Sequence, residues 1–335
     1  MDILIIGSSD PHKTIANFSQ KHIDEIKKVV PDATINLTLD KNGVEKLIPD
    51  ADILLYTVGS YPLSDIPFDK AIKLKWVQTT SAGVTDIAKA LKDTDILLTN
   101  ASGTHPIPIS EQVLCYMLMF AKRANITLKN QLTKKQWIRD FDLVKGFELS
   151  GSTVGIIGFG NIGKQIAKLS KAVGMKVVVL EHNKNINDKN DNDTKNIVDT
   201  VFTSPDDVLK VSDFVVDCLP LTDETLHYFT LDLFKKMKQS AYFINIGRGK
   251  TVAEKDLILA LKDKVIAGAA LDVTDVEPLP QDSPLWDFDN VIITPHSSSW
   301  TPKYPDRVTE IFVNNLKLYL DNKPMKTLVD KDRGY

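Results

Sequence analysis

Cysteine is nearly absent: Cys115 and Cys218 are the only two in 335 residues. Neither lies in a CxxC or other metal-ligand spacing, which argues against a disulfide framework and predicts no metal site. Cys115 falls in the helix-like SEQVLCYMLMFAKR and Cys218 in the strand-like DFVVDCLPL, so both read as small buried apolar residues. A basic excess is missing as well. Lys and Arg number 41 against 44 Asp and Glu, a net charge of −3, with no electrostatic footprint for nucleic acid or an anionic membrane. No apolar run approaches the roughly 18 residues that a membrane-spanning helix needs. The opening MDILIIGSSD has no basic stretch before its apolar run, which stops at Gly7; it reads as a first strand, not a secretory leader. Few cysteines and no address signal predict a cytoplasmic protein.

What is present alternates. Over the first hundred residues, ILII (3–6), ATINL (33–37), DILLY (52–56), KWVQT (75–79) and DILLT (95–99) read as strands. Between them lie stretches such as 13–30 with the 3.6-residue apolar spacing of a helix packed on a sheet. A long helical stretch follows over roughly 108–129. A second series of candidate strands then begins: 153–158, 176–180, 213–218, 241–246, 265–271 and 290–294. DRVTEIFVNNLKLYL (306–320) closes the chain as an amphipathic helix that can return to the first sheet. The pattern predicts two doubly wound α/β domains with parallel sheets. Of the 14 residues over 183–196, 12 are Asn, Asp or Lys, a composition too polar to pack and read as a solvated loop.

The strongest local signal is VGIIGFGNIGKQIAKL. Gly158, Gly160 and Gly163 form GxGxxG directly after a strand and open a helix running to about Val173. The first glycine permits the tight turn, the second lets the backbone approach a pyrophosphate, and the third lets helix and strand pack closely. The helix N-terminus then receives the phosphates. Glu181 ends the next strand 23 residues beyond Gly158, near the spacing expected of an acid that binds a ribose 2′-OH and repels a 2′-phosphate. The expected cofactor is therefore NAD (NADH). His182 and Lys184 could each meet a phosphate, so NADP stays open as the less favoured alternative.

Three chemically apt residues follow in order. Arg248 leaves the strand AYFINI between Gly247 and Gly249, Glu277 lies in the loop after AGAALDV, and His296 follows NVIIT. All three leave the carboxyl ends of strands, the edge at which open α/β sheets bind ligands. Each alone has an ordinary structural reading: a surface arginine, a loop carboxylate, a hydrogen-bonded loop histidine. Together they would equip the reduction of a 2-keto acid. An arginine fork matches a carboxylate or polarised carbonyl, a histidine exchanges a proton near neutral pH, and a neighbouring carboxylate orients the ring.

With these motifs in order, the chain resembles the D-2-hydroxyacid dehydrogenase family (D-isomer-specific, NAD-dependent). The matching stretches are LKWVQTTSAGVTDI, the SEQVL helix start, ELSGSTVGIIGFGNIG, CLPLTDET, NIGRG, ALDVTDVEPL with SPLW, ITPH and the closing VDKDRGY. The resemblance implies that Arg248, Glu277 and His296 are the catalytic arginine, the acidic partner of the histidine and the acid/base. It implies that the backbone N–H groups of Ala82 and Gly83 hold the substrate carboxylate, with Arg248 and His296 as the other substrate contacts. Asn161 and Ile162 would meet the pyrophosphate, Leu219, Pro220 and Thr225 the adenosine side, and Ile246, Gly247 and Asp272 the nicotinamide side. It also implies a flavodoxin-like substrate domain, 1–100 plus 301–335, a Rossmann domain over 101–300, and a homodimer built around the helix near 108–130. SEQ stands where Ala-Glu-His is frequent, and SSSW lacks the glycine often found three residues after the histidine. Tyr56, Ser60, Tyr61 and Trp300 are candidates for the pocket wall, each equally readable as packing.

Two neighbours of the implied reaction stay open. Formate dehydrogenases of the superfamily pair the histidine with glutamine, against which Glu277 speaks; phosphite dehydrogenase shares the Arg, Glu and His. A third reading is non-enzymatic, a nicotinamide-sensing corepressor scaffold on the same fold. The expected ligand is a small 2-keto or 2-hydroxy acid, with no nucleic acid and no membrane as partners.

Overall fold

The computed structural model describes residues 1–7, 18–59, 61–137, 139–180 and 192–333. The chain divides into two compact units, Met1–Thr104 with Trp300–Tyr335, and His105–Ser299.

In the first unit β1 (Asp2–Ile6), β2 (Thr34–Thr38), β3 (Ile53–Tyr56), β4 (Trp76–Thr79) and β5 (Leu97–Thr99) form a parallel sheet in the order β2-β1-β3-β4-β5. Ile3 sits opposite Ile35 on one side and Ile53 on the other. The central strands are covered on both faces, which is why they read as unbroken apolar runs and not as alternation. Leu4, Ile6, Leu54, Tyr56 and Val77 point into one core layer. Ile3, Ile5, Ile53, Leu55 and Trp76 point into the other, shared with the helix Tyr304–Leu320. That helix buries Tyr304, Val308, Phe312 and Leu316. Their spacing of four keeps all of them on one stripe. Trp76 stacks on Phe312 at 5.1 Å between ring centroids, and its indole Nε1 donates to Thr99 Oγ1 at 2.8 Å.

The second unit is a seven-stranded parallel sheet. Its strands are β6 (Thr153–Ile157), β7 (Lys176–Leu180), β8 (Thr200–Phe202), β9 (Phe214–Asp217), β10 (Tyr242–Asn245), β11 (Gly268–Leu271) and β12 (Val291–Ile293). The order is β12-β11-β10-β9-β6-β7-β8, so the winding reverses between β6 and β9. Two doubly wound units are thus the architecture, the first in flavodoxin-like order and the second in Rossmann order with one added strand. The helix Asn161–Ala172 packs Ile166 and Ala167 against Val113, Tyr116, Met117 and Phe120 of the helix Pro106–Ala121.

Three expectations need correction. The helical stretch expected over 108–129 is two helices, Pro106–Ala121 and Ala124–Lys134, because Arg123 between them adopts a left-handed φ of 54° that breaks the helical hydrogen-bond ladder. Strand β8 went unread: three residues beside a polar segment carry too little periodicity. Cys115 is exposed, not buried, because it lies on the outer face of its helix while Val113, Tyr116 and Met117 turn inward. Residues 8–17, which include the start of the first expected helix, and residues 181–191, which include most of the polar stretch, lie outside the described residues.

Phe312 is fully buried. Phe312→Ala should cost about 3–5 kcal/mol, the usual penalty for deleting a buried ring. Urea denaturation followed by Trp fluorescence will show a lowered midpoint with little change in slope.

Candidate active site

The winding reversal brings the glycine loop against the end of β9. Gly158 has a φ of +99°, and a Cβ there would lie 2.7 Å from the Cys218 carbonyl, so both conformation and space demand glycine. A Cβ on Gly163 would fall 2.5 Å from the Gly158 oxygen, so only glycine lets the helix close on the strand. Gly160, the N-cap of Asn161–Ala172, faces open space. The first-turn N–H groups of Asn161, Ile162 and Gly163 have no partner within a helix of this kind. An uncovered helix start behind a glycine loop fits a dinucleotide pyrophosphate. Glu181 and His182, expected at its ribose, lie outside the described residues.

Two further loops interlock beside it. Asp217 ends β9, and its Oδ1 accepts from Leu219 N at 2.9 Å. Ile246 N donates to the Asp217 carbonyl at 3.2 Å, and a Cβ on Gly247 would meet the Leu219 oxygen at 2.7 Å. Pro220 is fastened by Thr225, whose Oγ1 lies 2.6 Å from its carbonyl and 2.7 Å from Thr222 N. Leu219, Pro220, Thr225, Ile246 and Gly247 therefore line one continuous backbone edge.

His296 leaves β12 with a φ of 51°, a left-handed conformation that costs a non-glycine residue roughly 1–2 kcal/mol. Asp272, 3% exposed, holds it there. The Asp272 carbonyl accepts from His296 N at 2.8 Å. Its carboxylate accepts from Thr294 Oγ1 at 2.5 Å, Ser297 N at 3.0 Å and Ser298 N at 3.1 Å. Ser298 Oγ donates to the same carboxylate. Because Thr294 spends its one hydroxyl hydrogen on Asp272, the Tyr116 hydroxyl must donate to Thr294. Burial pushes that phenol up to about 12, which keeps it a donor.

So held, the His296 ring meets Glu277: Nδ1 lies 2.8 Å from Oε2. A carboxylate only accepts, so Nδ1 carries the hydrogen and Nε2 is left to exchange a proton. Glu277 Oε1 accepts from Thr274 N at 3.2 Å, tying the acid to its own loop. Arg248 is exposed, and its Nη1 donates to the Gly247 carbonyl at 2.8 Å. Among the described residues no ion pair joins it to Glu277 or His296. Its loop nevertheless abuts theirs, since a Cβ on Gly249 would lie 1.8 Å from the Thr274 oxygen. In the other unit Gly83 N donates to Ser81 Oγ at 3.2 Å, and the Ala82 carbonyl accepts from Asn100 Nδ2 at 3.3 Å. Tyr56 is a packing residue, with its hydroxyl donated to the Tyr61 carbonyl at 2.7 Å, and Tyr61 is itself buried. Ser60 lies outside the described residues, and Trp300 is exposed.

Sequence reasoning gave no role to Asp217, Thr251, Thr294, Ser298 and Tyr116, which support the loops; Thr294 stands in ITPH and Ser298 in SSSW, but neither was singled out there. The one signal available was an acid ending the otherwise apolar FVVD. Gly249→Ala should force the two loops apart and cost about 1–3 kcal/mol, the usual penalty of overpacking, read as a lower Tm.

Comparison with known proteins supplies the family. Residues 114–298 match the model of the D-isomer specific 2-hydroxyacid dehydrogenase NAD binding domain. A glyoxylate reductase of Thermofilum pendens is 34% identical over 85% of this chain and 83% of its own. A hydroxypyruvate reductase of Thermotoga maritima is 32% identical over 81% of this chain and 85% of its own. The crystal structure of a D-isomer specific 2-hydroxyacid dehydrogenase family protein from Aeromonas salmonicida superposes with a TM-score of 0.80 at 32% identity, covering 98% of this chain and 99% of that one. With the glycine loop, the seven-stranded sheet and these likenesses together, the chain belongs to the D-isomer specific 2-hydroxyacid dehydrogenases, oxidoreductases whose NAD-binding domain it carries.

Proposed function

We propose that the protein reduces a small 2-keto acid to the D-2-hydroxy acid with NADH, reversibly. The observation that carries this reading is the His296–Glu277 pair at 2.8 Å, at the carboxyl edge of the sheet beside the Arg248 loop. The glyoxylate and hydroxypyruvate reductases among its relatives point to a short, polar keto acid.

The bound nicotinamide supplies the hydride that reaches the keto carbon. His296 Nε2–H gives its proton to the oxygen as negative charge develops there, so the carbonyl becomes a hydroxyl without a free alkoxide. Glu277 holds the ring by Nδ1, leaving Nε2 as the nitrogen that transfers the proton. Arg248, with Nη1 on the Gly247 carbonyl, keeps the rest of its fork for the substrate carboxylate and polarised carbonyl. The N–H groups of Ala82 and Gly83 are donors for a substrate carboxylate, Gly83 exchanging its bond to Ser81 for one to substrate. Asp272 takes the carboxamide side of the cofactor. Glu181 accepts from the ribose 2′-OH and selects NAD over NADP. The exposed apolar side chains Ile107 and Leu118, with Leu114, Met119 and Ala124 close by, form the homodimer face. The enzyme works in the cytoplasm, where Cys115 and Cys218 stay reduced.

His296→Ala should lower turnover by roughly 10²–10⁴-fold while NADH binding, followed by fluorescence, is retained. Wild-type turnover in the variant would remove His296 from the mechanism. Reduction consumes the proton on Nε2 and oxidation needs that nitrogen free. As pH rises the reduction rate should therefore fall while the oxidation rate climbs, measured on the same enzyme with keto acid and NADH or with hydroxy acid and NAD. Parallel profiles in both directions would contradict the assignment.

A further inference from the structure

We infer that Asp217 is a neutral carboxylic acid in the native protein, and that its proton completes a hydrogen-bond chain through Thr251 to the Arg248 carbonyl that positions Arg248. The argument is a count of hydrogens. Thr251 Oγ1 lies 2.5 Å from Asp217 Oδ2 and 2.6 Å from the Arg248 carbonyl oxygen. A threonine hydroxyl has one hydrogen to give. Were Asp217 ionised, both facing oxygens would be acceptors, and one of two short contacts would set lone pair against lone pair. A proton on Oδ2 satisfies all three atoms: Asp217 donates to Thr251, and Thr251 donates to Arg248. The Arg248 carbonyl also accepts from Asn245 Nδ2 at 3.1 Å and from Thr251 N at 3.2 Å, so the hydroxyl adds the shortest of three bonds to it. Asp217 Oδ1 accepts from Leu219 N.

The surroundings agree. Asp217 is 0% exposed, and no cation pairs with it among the described residues. An isolated buried carboxylate is costly enough that protonation is the usual escape. Burial accordingly pushes its carboxyl up to about 7, against smaller opposing effects from the bonds to Thr251 and Leu219. The titratable groups facing it are Cys218, next along the chain, and Tyr228. Burial, and secondarily Asp217 itself, raises both, so neither supplies a positive charge. Arg248 turns its guanidinium to the Gly247 carbonyl.

Asp217 and Thr251 are positioning residues: they touch no reacting atom but set the backbone from which Arg248 projects. Once Asp217 ionises, Thr251 turns its hydrogen to the carboxylate, and the Arg248 carbonyl loses its shortest bond while keeping those from Thr251 N and Asn245, so substrate binding weakens on the alkaline side. The inference about Arg248 rests on the substrate role proposed for it above; the inference about the proton does not.

The test combines infrared spectroscopy with kinetics. The intact enzyme should show the C=O stretch of a protonated carboxyl at about pH 6, sensitive to D2O, fading by about pH 9 and absent from Asp217→Asn. Thr251→Val should shift that band and raise KM for the keto acid roughly tenfold, the factor of one lost hydrogen bond. Its NADH affinity should stay within about twofold of wild type. Stability should also fall as pH rises from about 4 to about 7 and then level, because the folded carboxyl holds its proton longer than the unfolded one; Asp217→Asn should lack that fall. Absence of the band at about pH 6 in folded wild type overturns the neutral acid. A band that is present while Thr251→Val keeps the wild-type KM overturns the positioning role. Should Asp217→Asn fail to fold, the shift in Thr251→Val assigns the band. An unchanged KM in Arg248→Ala would overturn the substrate role of Arg248 while leaving the proton assignment standing.

Discussion

A parallel sheet delivers every strand's carboxyl end to one edge, and the chemistry of this protein depends on that constraint. β6, β9, β10, β11 and β12 are adjacent or nearly so and run the same way, so the loops beginning at Gly158, Cys218, Ile246, Asp272 and Thr294 emerge side by side. Residues separated by tens of positions in the chain become neighbours without any long-range instruction beyond strand pairing. Glu277 and His296 meet because β11 and β12 pair in register, Leu271 opposite Ile293. Helices on both faces of such a sheet account for the apolar strands, and the edge left uncovered is where polar groups can gather.

Neighbouring loops still have to be fixed, and here glycine and two buried acids divide the work. Gly158, Gly247 and Gly249 stand where any side chain would strike another loop's backbone, so the loops can lock against one another. Asp272, just past β11, and Asp217, at the end of β9, stand on the same edge either side of β10 and in opposite conditions. Asp272 is surrounded by donors: two backbone N–H groups and two hydroxyls converge on its carboxylate, and the result is a rigid cradle for a strained histidine. Asp217 receives one N–H and must share a hydroxyl with a carbonyl. A buried acid short of donors is a different device from one rich in them, because its hydrogen-bond pattern is completed by its own proton.

Much of this was legible in the sequence for stated physical reasons. Strands buried on both faces announce themselves as runs of Ile, Leu and Val, and Gly158-x-Gly160-x-x-Gly163 between a strand and a helix has few other uses. Arg248, Glu277 and His296 were conspicuous because each followed a strand. The support behind them was not. Thr251, Thr294 and Ser298 are ordinary residues that matter through single hydrogen bonds across loops, and no periodicity encodes such a bond. The break at Arg123 escaped for a related reason. Lys and Arg are good helix formers, so only the backbone angle, imposed by what surrounds the residue, reveals the interruption.

The serines after the histidine show what a short polar stretch can conceal. SSSW follows His296, ends on Trp300, the residue at which the chain re-enters the other unit, and looks like a short polar connector. Ser298 is instead buried, its hydroxyl and its N–H both spent on Asp272. An alanine at 298 could supply the N–H but not the hydroxyl, so the serine there adds one bond to the cradle that keeps His296 in its left-handed conformation. Ser298 acts on the chemistry through the backbone of His296, while Trp300 at the end of the same segment is exposed, its side chain not spent on the cradle.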